Sequence, residues 1–336
     1  MTPVTDDGSA ADRVGVVGCG LMGSGIAEVC ARAGRDVVVV ETGRAAADAG
    51  LRRITRSLAR AAAAGKVTAA AAEAATARIT VTTDLKRLAD RDLVIEAVAE
   101  DERAKLDVFA RLDATVERPD AVLATNTSSL PVIRLAAATS RPAQVIGLHF
   151  FNPVPVLPLV ELVPSLLTGG ETVRRAEDFA STVLGKRVVR ARDRAGFVVN
   201  ALLVPYLLAA VRMAESGTAS AEDIDRGMTL GCAHPLGPLA LADLIGLDTV
   251  RSIARSMYEE YREPLYAPPP LLSRMVEAGL LGRKTGRGFH SYGGRGDLMG
   301  EDGGTGGDTG TAGRAAVPPP SDRPAADGHR HGEQPT

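Results

Sequence analysis

The hexapeptide Gly18-Cys19-Gly20-Leu21-Met22-Gly23 constrains this chain more than any other feature, because of what flanks it. It follows the apolar run Arg13–Val17 and opens a stretch in which Ile26, Val29 and Ala33 recur at helical spacing. A bare GxGxxG is a weak signal; at a strand-to-helix turn each glycine has a physical task. Gly18 permits the tight turn, Gly20 lets a pyrophosphate approach the backbone, and Gly23 lets the helix lie close to the strand. The helix start, at Leu21 and Met22, offers free N–H groups and the positive end of the helix dipole to phosphates. Glu41 closes the second β-branched run, Asp36–Val40, eighteen residues past Gly23. A carboxylate there accepts hydrogen bonds from an adenosine ribose and repels a 2′-phosphate. Together these features predict NAD as cofactor, preferred over NADP even with Arg44 nearby.

The pattern that begins with this unit continues to about residue 195. Short apolar runs at 13–17, 36–40, 79–81, 93–97, 121–125, 144–150, 159–163 and 186–189 alternate with longer amphipathic or alanine-rich stretches. Runs apolar on both faces, spaced by helices, predict an α/β Rossmann-type fold with a doubly wound, mostly parallel sheet. From 197 to 281 the β pattern is gone, and helix-length segments are punctuated by Gly217, Gly231, Pro235, Gly246 and Pro268-Pro269-Pro270. Ser220 is placed to N-cap one of them, with Asp223 at the capping-box position. The expected organisation is an NAD-binding domain over 12–195 and an all-α C-terminal domain over 196–292. A glycine- and proline-rich tail over 293–336 is too poor in large apolar residues to build a core. His329 and His331 in that tail have no cysteine or acid cluster beside them to make a metal site.

Composition excludes several other classes. With 39 basic and 41 acidic residues the net charge is −2, which provides no broad field for nucleic acid or an anionic membrane. Cys19, Cys30 and Cys232 are too few and too irregular for a disulfide framework. The first dozen residues are acidic and polar, and no apolar run is long enough to span a bilayer. A soluble protein of the cytoplasm is expected.

His149 ends the apolar run 145–150, at the sheet edge where ligands of open α/β sheets bind. After the turn Asn152-Pro153-Val154-Pro155, the next run presents Glu161. Neighbouring strands can bring the two together, the carboxylate fixing the tautomer and leaving the second imidazole nitrogen to take a proton. Taken alone, a His and a Glu twelve residues apart are more often a structural pair than a catalytic one.

The surrounding words decide between them. Thr125-Asn126-Thr127-Ser128-Ser129-Leu130, Gly147-Leu148-His149-Phe150-Phe151-Asn152-Pro153-Val154-Pro155, Leu159-Val160-Glu161 and Gly196-Phe197-Val198-Val199-Asn200 closely resemble the L-3-hydroxyacyl-CoA dehydrogenase family. So do Leu203-Val204-Pro205-Tyr206, Gly246-Leu247-Asp248-Thr249 and Lys284-Thr285-Gly286-Arg287-Gly288-Phe289, in order, over residues 13–292. The resemblance implies oxidation of a (3S)-3-hydroxyacyl-CoA to the 3-oxo thioester, or the reverse, on short chains such as 3-hydroxybutyryl-CoA. It implies that His149 is the base, that Glu161 orients it, and that Ser128 and Asn200 hold the reacting part of the substrate. Asn126, Glu100 and Lys105 would lie beside the cofactor, and Ser57 and Lys66 would meet the CoA moiety. Relatives pair through the helical domain, so a homodimer is expected. Cys19, His234 and His290 read as packing or turn residues.

The chain departs from the family pattern at Ala201, where an arginine is usual, at Leu157-Pro158 in place of methionine–lysine, and at Arg194-Ala195 in place of threonine–proline. These departures leave room for a different 3-hydroxy acid, L-gulonate or a hydroxyacyl group on a carrier protein.

Overall fold

A computed structural model describes residues 11–293 of the chain. His329, His331 and the tail, apart from Gly293, lie outside the described residues.

Eight strands form one sheet in the order β3-β2-β1-β4-β5-β6-β7-β8. They are β1 (Arg13–Val17), β2 (Asp36–Val40), β3 (Ile79–Thr82), β4 (Leu93–Glu96), β5 (Val122–Thr125), β6 (Val145–Phe150), β7 (Leu159–Val163) and β8 (Arg187–Arg190). Three strands have the bounds the apolar runs indicate, and the other five differ by a residue at one or both ends. β1 to β6 pair in parallel, β7 runs antiparallel to β6, and β8 is parallel to β7. The alternation of side chains explains why both faces of these strands are apolar. Val14, Val16, Val37 and Val39 meet α1 (Leu21–Arg32), α2 (Arg44–Ala63) and α3 (Ala69–Ala77) through Ile26, Cys30, Ile54, Leu58 and Ala75. Val17, Val38 and Val40 share the other core with Phe109 and Leu112 of α4 (Glu102–Thr115) and Leu135 of α5 (Val132–Ala137). α6 (Gly170–Asp178), extended by a π turn, covers the first face near β6 and β7.

The long segment after β2 folds as two helices, α2 and α3. Gly65, at φ +68°, turns the chain, and the Thr68 hydroxyl accepts the Ala71 amide to start α3. β1 lies between β2 and β4, so the direction of winding reverses there and a crevice opens at the carboxyl ends of β1 and β4.

From residue 191 to 281 no strand forms. α7 (Val199–Glu215), α8 (Ala221–Gly231), α9 (Pro238–Ile245), α10 (Leu247–Tyr261) and α11 (Pro270–Glu277) surround a third core. Ser220 does cap α8, its hydroxyl oxygen accepting the Asp223 amide at 3.1 Å, a contact of about 1 kcal/mol. Asp225 accepts the first amides of α9, from Leu239 and Ala240, and holds His290 Nε2 at 2.8 Å. Asp243 takes the amides of Phe289 and His290 and the hydroxyl of Tyr292. These two buried carboxylates fasten the last described residues onto α8 and α9, and His290 is part of that fastening. Much of the apolar surface of these helices is internal, with Val204, Leu207, Leu208, Leu239 and Leu247 buried within the core. Leu202, Leu230 and Leu244 remain exposed, at 74%, 79% and 51%.

Candidate active site

The glycine loop has the geometry a dinucleotide needs. Gly18 sits at φ +92°, and a Cβ there would lie 2.7 Å from the Ala97 carbonyl oxygen. A Cβ on Gly23 would lie 1.9 Å from the Gly18 carbonyl oxygen, so helix and strand could not approach as they do. Gly20 is different: nothing lies within 4 Å of its missing Cβ, which leaves an open approach to the backbone ahead of α1. No side chain caps α1, so the amides of its first turn face that space.

Glu41 reaches back to this loop, accepting the Cys19 amide at 2.5 Å and the Thr42 amide at 3.1 Å. Arg53 of α2 donates to the Cys19 carbonyl at 2.8 Å, so the two peptide groups of Cys19 are held by opposite charges. The Cys19 thiol is pushed up to about 11 by burial and by Glu41, and its sulfur lies against Gly50. Beside Glu41 a cavity of about 270 Å³ is lined by Val40, Thr42, Thr83, Leu85, Val98 and Arg111. An apolar slot ending at a carboxylate fits an adenosine. A larger groove of about 430 Å³, between the end of α1, the start of α3 and Val183, contains neither His149 nor the glycine loop.

Across the crevice, His149 and Glu161 face each other in register on β6 and β7. His149 Nδ1 lies 2.7 Å from Glu161 Oε2. A carboxylate can only accept, so Nδ1 carries the proton and Nε2 keeps its lone pair. The other oxygen of Glu161 accepts the amides of Val198 and Val199, at 3.0 and 2.8 Å, where α7 begins. Glu161 is fully buried, and the imidazole is flanked by Phe151 and Phe197 at ring-centre distances of 4.6 and 5.5 Å. A single carboxylate thus orients the imidazole and ties it to the first turn of the helical region. Asn200, next in that turn, is buried.

Ser128 follows β5, the strand next to β6, and its turn is fixed by one carboxylate. Glu100 Oε1 accepts the Thr127 hydroxyl (2.5 Å), the Ser128 amide (2.9 Å), the Ser129 amide (3.1 Å) and the Ser129 hydroxyl (3.2 Å). Burial alone would raise the Glu100 carboxyl. Lys105 and the bonds from Thr127 and Ser128 outweigh burial and hold the carboxyl below the usual carboxylate range. Lys105 is buried, with its ammonium 2.6 Å from Glu96 and 3.3 Å from Glu100. Asn126 accepts the Phe150 amide through Oδ1 at 2.8 Å, which joins the ends of β5 and β6 and leaves its NH₂ group for the crevice.

Ser57 is half-buried on α2 and Lys66 is exposed in the turn after it. The residues that sequence reasoning missed lie nearby. Arg53 and the exposed Arg52, Arg56 and Arg60 form a cationic surface around Ser57, readable from the i, i+4, i+8 spacing had the alanines not dominated that stretch. Glu96 gave only the signal of a carboxylate inside an apolar strand. His234 makes a 3.0 Å contact to the Tyr206 hydroxyl, as expected of a turn residue.

Comparison with known proteins agrees with this geometry. The family model for the NAD-binding domain of 3-hydroxyacyl-CoA dehydrogenase matches residues 13–194, and the model for the C-terminal domain of the same enzymes matches residues 196–292. A 3-hydroxybutyryl-CoA dehydrogenase of Mycobacterium tuberculosis is 62% identical over 283 residues, which is 84% of this chain and 99% of the relative. Among solved structures, M. tuberculosis FadB2 superposes with a TM-score of 0.84 at 61% identity, covering 85% of this chain and all of that one. The (S)-3-hydroxybutyryl-CoA dehydrogenase PaaH1 of Ralstonia eutropha follows at a TM-score of 0.79 and 44% identity, covering 84% of this chain and all of that one.

Proposed function

The chain belongs to the 3-hydroxyacyl-CoA dehydrogenase family, and from that premise we propose the following chemistry for its crevice. The enzyme interconverts a short (3S)-3-hydroxyacyl-CoA, such as 3-hydroxybutyryl-CoA, and its 3-oxo thioester, using NAD. The observation that carries this reading is the 2.7 Å His149–Glu161 pair with the imidazole Nε2 left free at the sheet edge. In the oxidative direction His149 Nε2 takes the proton of the 3-hydroxyl. Glu161 stabilises the imidazolium that results, and its bonds to Val198 and Val199 keep it from swinging away. Ser128 would hydrogen-bond the substrate oxygen, and Asn200 would reach the reacting part of the substrate. NAD, when bound, would supply the acceptor for the hydride that leaves C3. Gly18, Gly20, Leu21, Met22 and Gly23 would hold its pyrophosphate, Glu41 its adenosine ribose, and Glu100, Lys105 and Asn126 would border its nicotinamide half.

The CoA phosphates would meet α2 and the turn after it, at Ser57 and Lys66 with the Arg52–Arg56–Arg60 surface alongside. The exposed Leu202, Leu230 and Leu244 support a homodimer formed through the helical region. No described helix is long and apolar enough to cross a membrane, and a cytoplasmic enzyme of two domains, meeting at residues 195–196, fits these features. The test is NAD reduction by purified protein over a series of 3-hydroxyacyl-CoA chain lengths, free 3-hydroxy acids and carrier-protein thioesters. The four-carbon CoA thioester should be the fastest. A clear preference for free acids or carrier thioesters would replace the substrate assignment.

A further inference from the structure

Glu96, at the end of β4, has no place in the chemistry above, yet it is among the most enclosed carboxylates in the molecule. Its side chain is 0% exposed and that of Lys105 is 1% exposed. A wholly buried ion pair gives little net stability over apolar residues of the same size, so its informative consequence is geometric. Glu96 Oε1 accepts the Lys105 ammonium at 2.6 Å and the Val98 amide at 2.8 Å. Its Oε2 accepts the Thr125 hydroxyl at 2.7 Å.

Two routes lead from these contacts to the same turn. Lys105 passes to Glu100, whose other oxygen holds the amides of Ser128 and Ser129 and the hydroxyls of Thr127 and Ser129. The Thr125 oxygen, oriented by its bond to Glu96, accepts the Thr127 amide at 3.2 Å. Ser128 itself is held through its backbone amide, which leaves its hydroxyl for substrate.

We propose that Glu96 is a positioning residue for Ser128, acting through Lys105 and Glu100 on one side and through Thr125 on the other. The inference rests on the reading of Ser128 as a ligand of the substrate oxygen. Without the Glu96 charge, the ammonium shared by two carboxylates would settle on Glu100 alone and draw it away from the turn. A displaced Ser128 weakens substrate in its reacting geometry, because small errors in position cost rate steeply.

The experiment compares Glu96→Gln, Ser128→Ala and the double variant in the full chain, reading kcat/KM for 3-hydroxybutyryl-CoA at saturating NAD. Each single variant should lose about tenfold or more, and the double should be at most about twofold worse than Ser128→Ala, since both act through one hydroxyl. Thr125→Val, which cuts the second route and keeps the buried ion pair, should lose activity that Thr125→Ser restores. It supplies the same cycle with Ser128→Ala if Glu96→Gln does not fold. Losses that multiply in the double variants, or full kcat/KM in both Glu96→Gln and Thr125→Val, would overturn the proposal. Full kcat/KM in Ser128→Ala would instead overturn the reading of Ser128, and this inference with it.

Discussion

The glycine loop and the His149–Glu161 crossing lie at the same sheet edge and are built from opposite materials. The loop is six consecutive residues whose function depends on atoms that are missing: no Cβ at Gly23 against the Gly18 carbonyl, and open space at Gly20. The crossing is assembled from residues 149, 161, 198 and 199, and depends on groups that are present: one imidazole, one carboxylate and two amides. A site made of absences breaks when an atom is added. A site made of contacts breaks when one is removed, and its parts fail together.

The largest expected effect is on the contact-built side. His149→Ala should lower kcat by about 10²–10⁴-fold, the usual contribution of a general base, while NADH affinity measured by fluorescence stays near that of the unaltered enzyme. A parallel loss of NADH binding would mean that the two sites are not separable. On the other side, Gly23→Ala should weaken NADH binding by about ten- to a hundredfold and lower the melting temperature, because its Cβ would lie 1.9 Å from a backbone oxygen. Gly20→Ala sharpens the contrast. Its Cβ meets nothing among the described residues, so it should weaken NADH binding with little change in melting temperature. Equal thermal penalties for both alanines would show that Gly20 is structural.

Cofactor choice comes next in size. Glu41 faces the loop, and NAD should be preferred over NADP by about tenfold or more in kcat/KM, a difference of about 1.4 kcal/mol. Glu41→Ala should narrow that preference while also releasing the Cys19 amide. Equal use of both cofactors by the unaltered enzyme would remove Glu41 from the site. The smallest effect belongs to Cys19, the one side chain in the loop that is buried yet chemically idle. Its thiol is pushed up to about 11 and that of Cys30 to about 12, in both cases mainly by burial, so both stay protonated and shielded at neutral pH. A thiol reagent should label only the exposed Cys232 in the native protein, and Cys19→Ala should leave NADH affinity nearly unchanged.

The same contrast explains what the sequence could reveal. Local features were legible: β1, β2 and β7 have the bounds of their apolar runs, Ser220 caps its helix, and the loop glycines adopt the geometry their spacing implies. The His149–Glu161 contact was legible because two short strands, consecutive in sequence, pair in register. The second half of the Glu161 role was not, since the amides of Val198 and Val199 come from 37 and 38 residues away. Glu96 was hidden for the same reason, its partners arriving from α4 and β5. On α2 the arginine surface was missed although helical spacing carries it, and the bond from Arg53 to the Cys19 carbonyl depends on tertiary packing.

The most direct test of the account is whether His149 and Glu161 act as one device. The measurement is kcat for His149→Ala, Glu161→Gln and the double variant. Glutamine has a single carbonyl oxygen, which can serve Nδ1 or the α7 amides but not both, and it lacks the charge that stabilises an imidazolium. Glu161→Gln should therefore lose much of kcat, and the double variant should be little worse than His149→Ala alone. Losses that multiply, or near-full kcat in Glu161→Gln, would contradict the pairing.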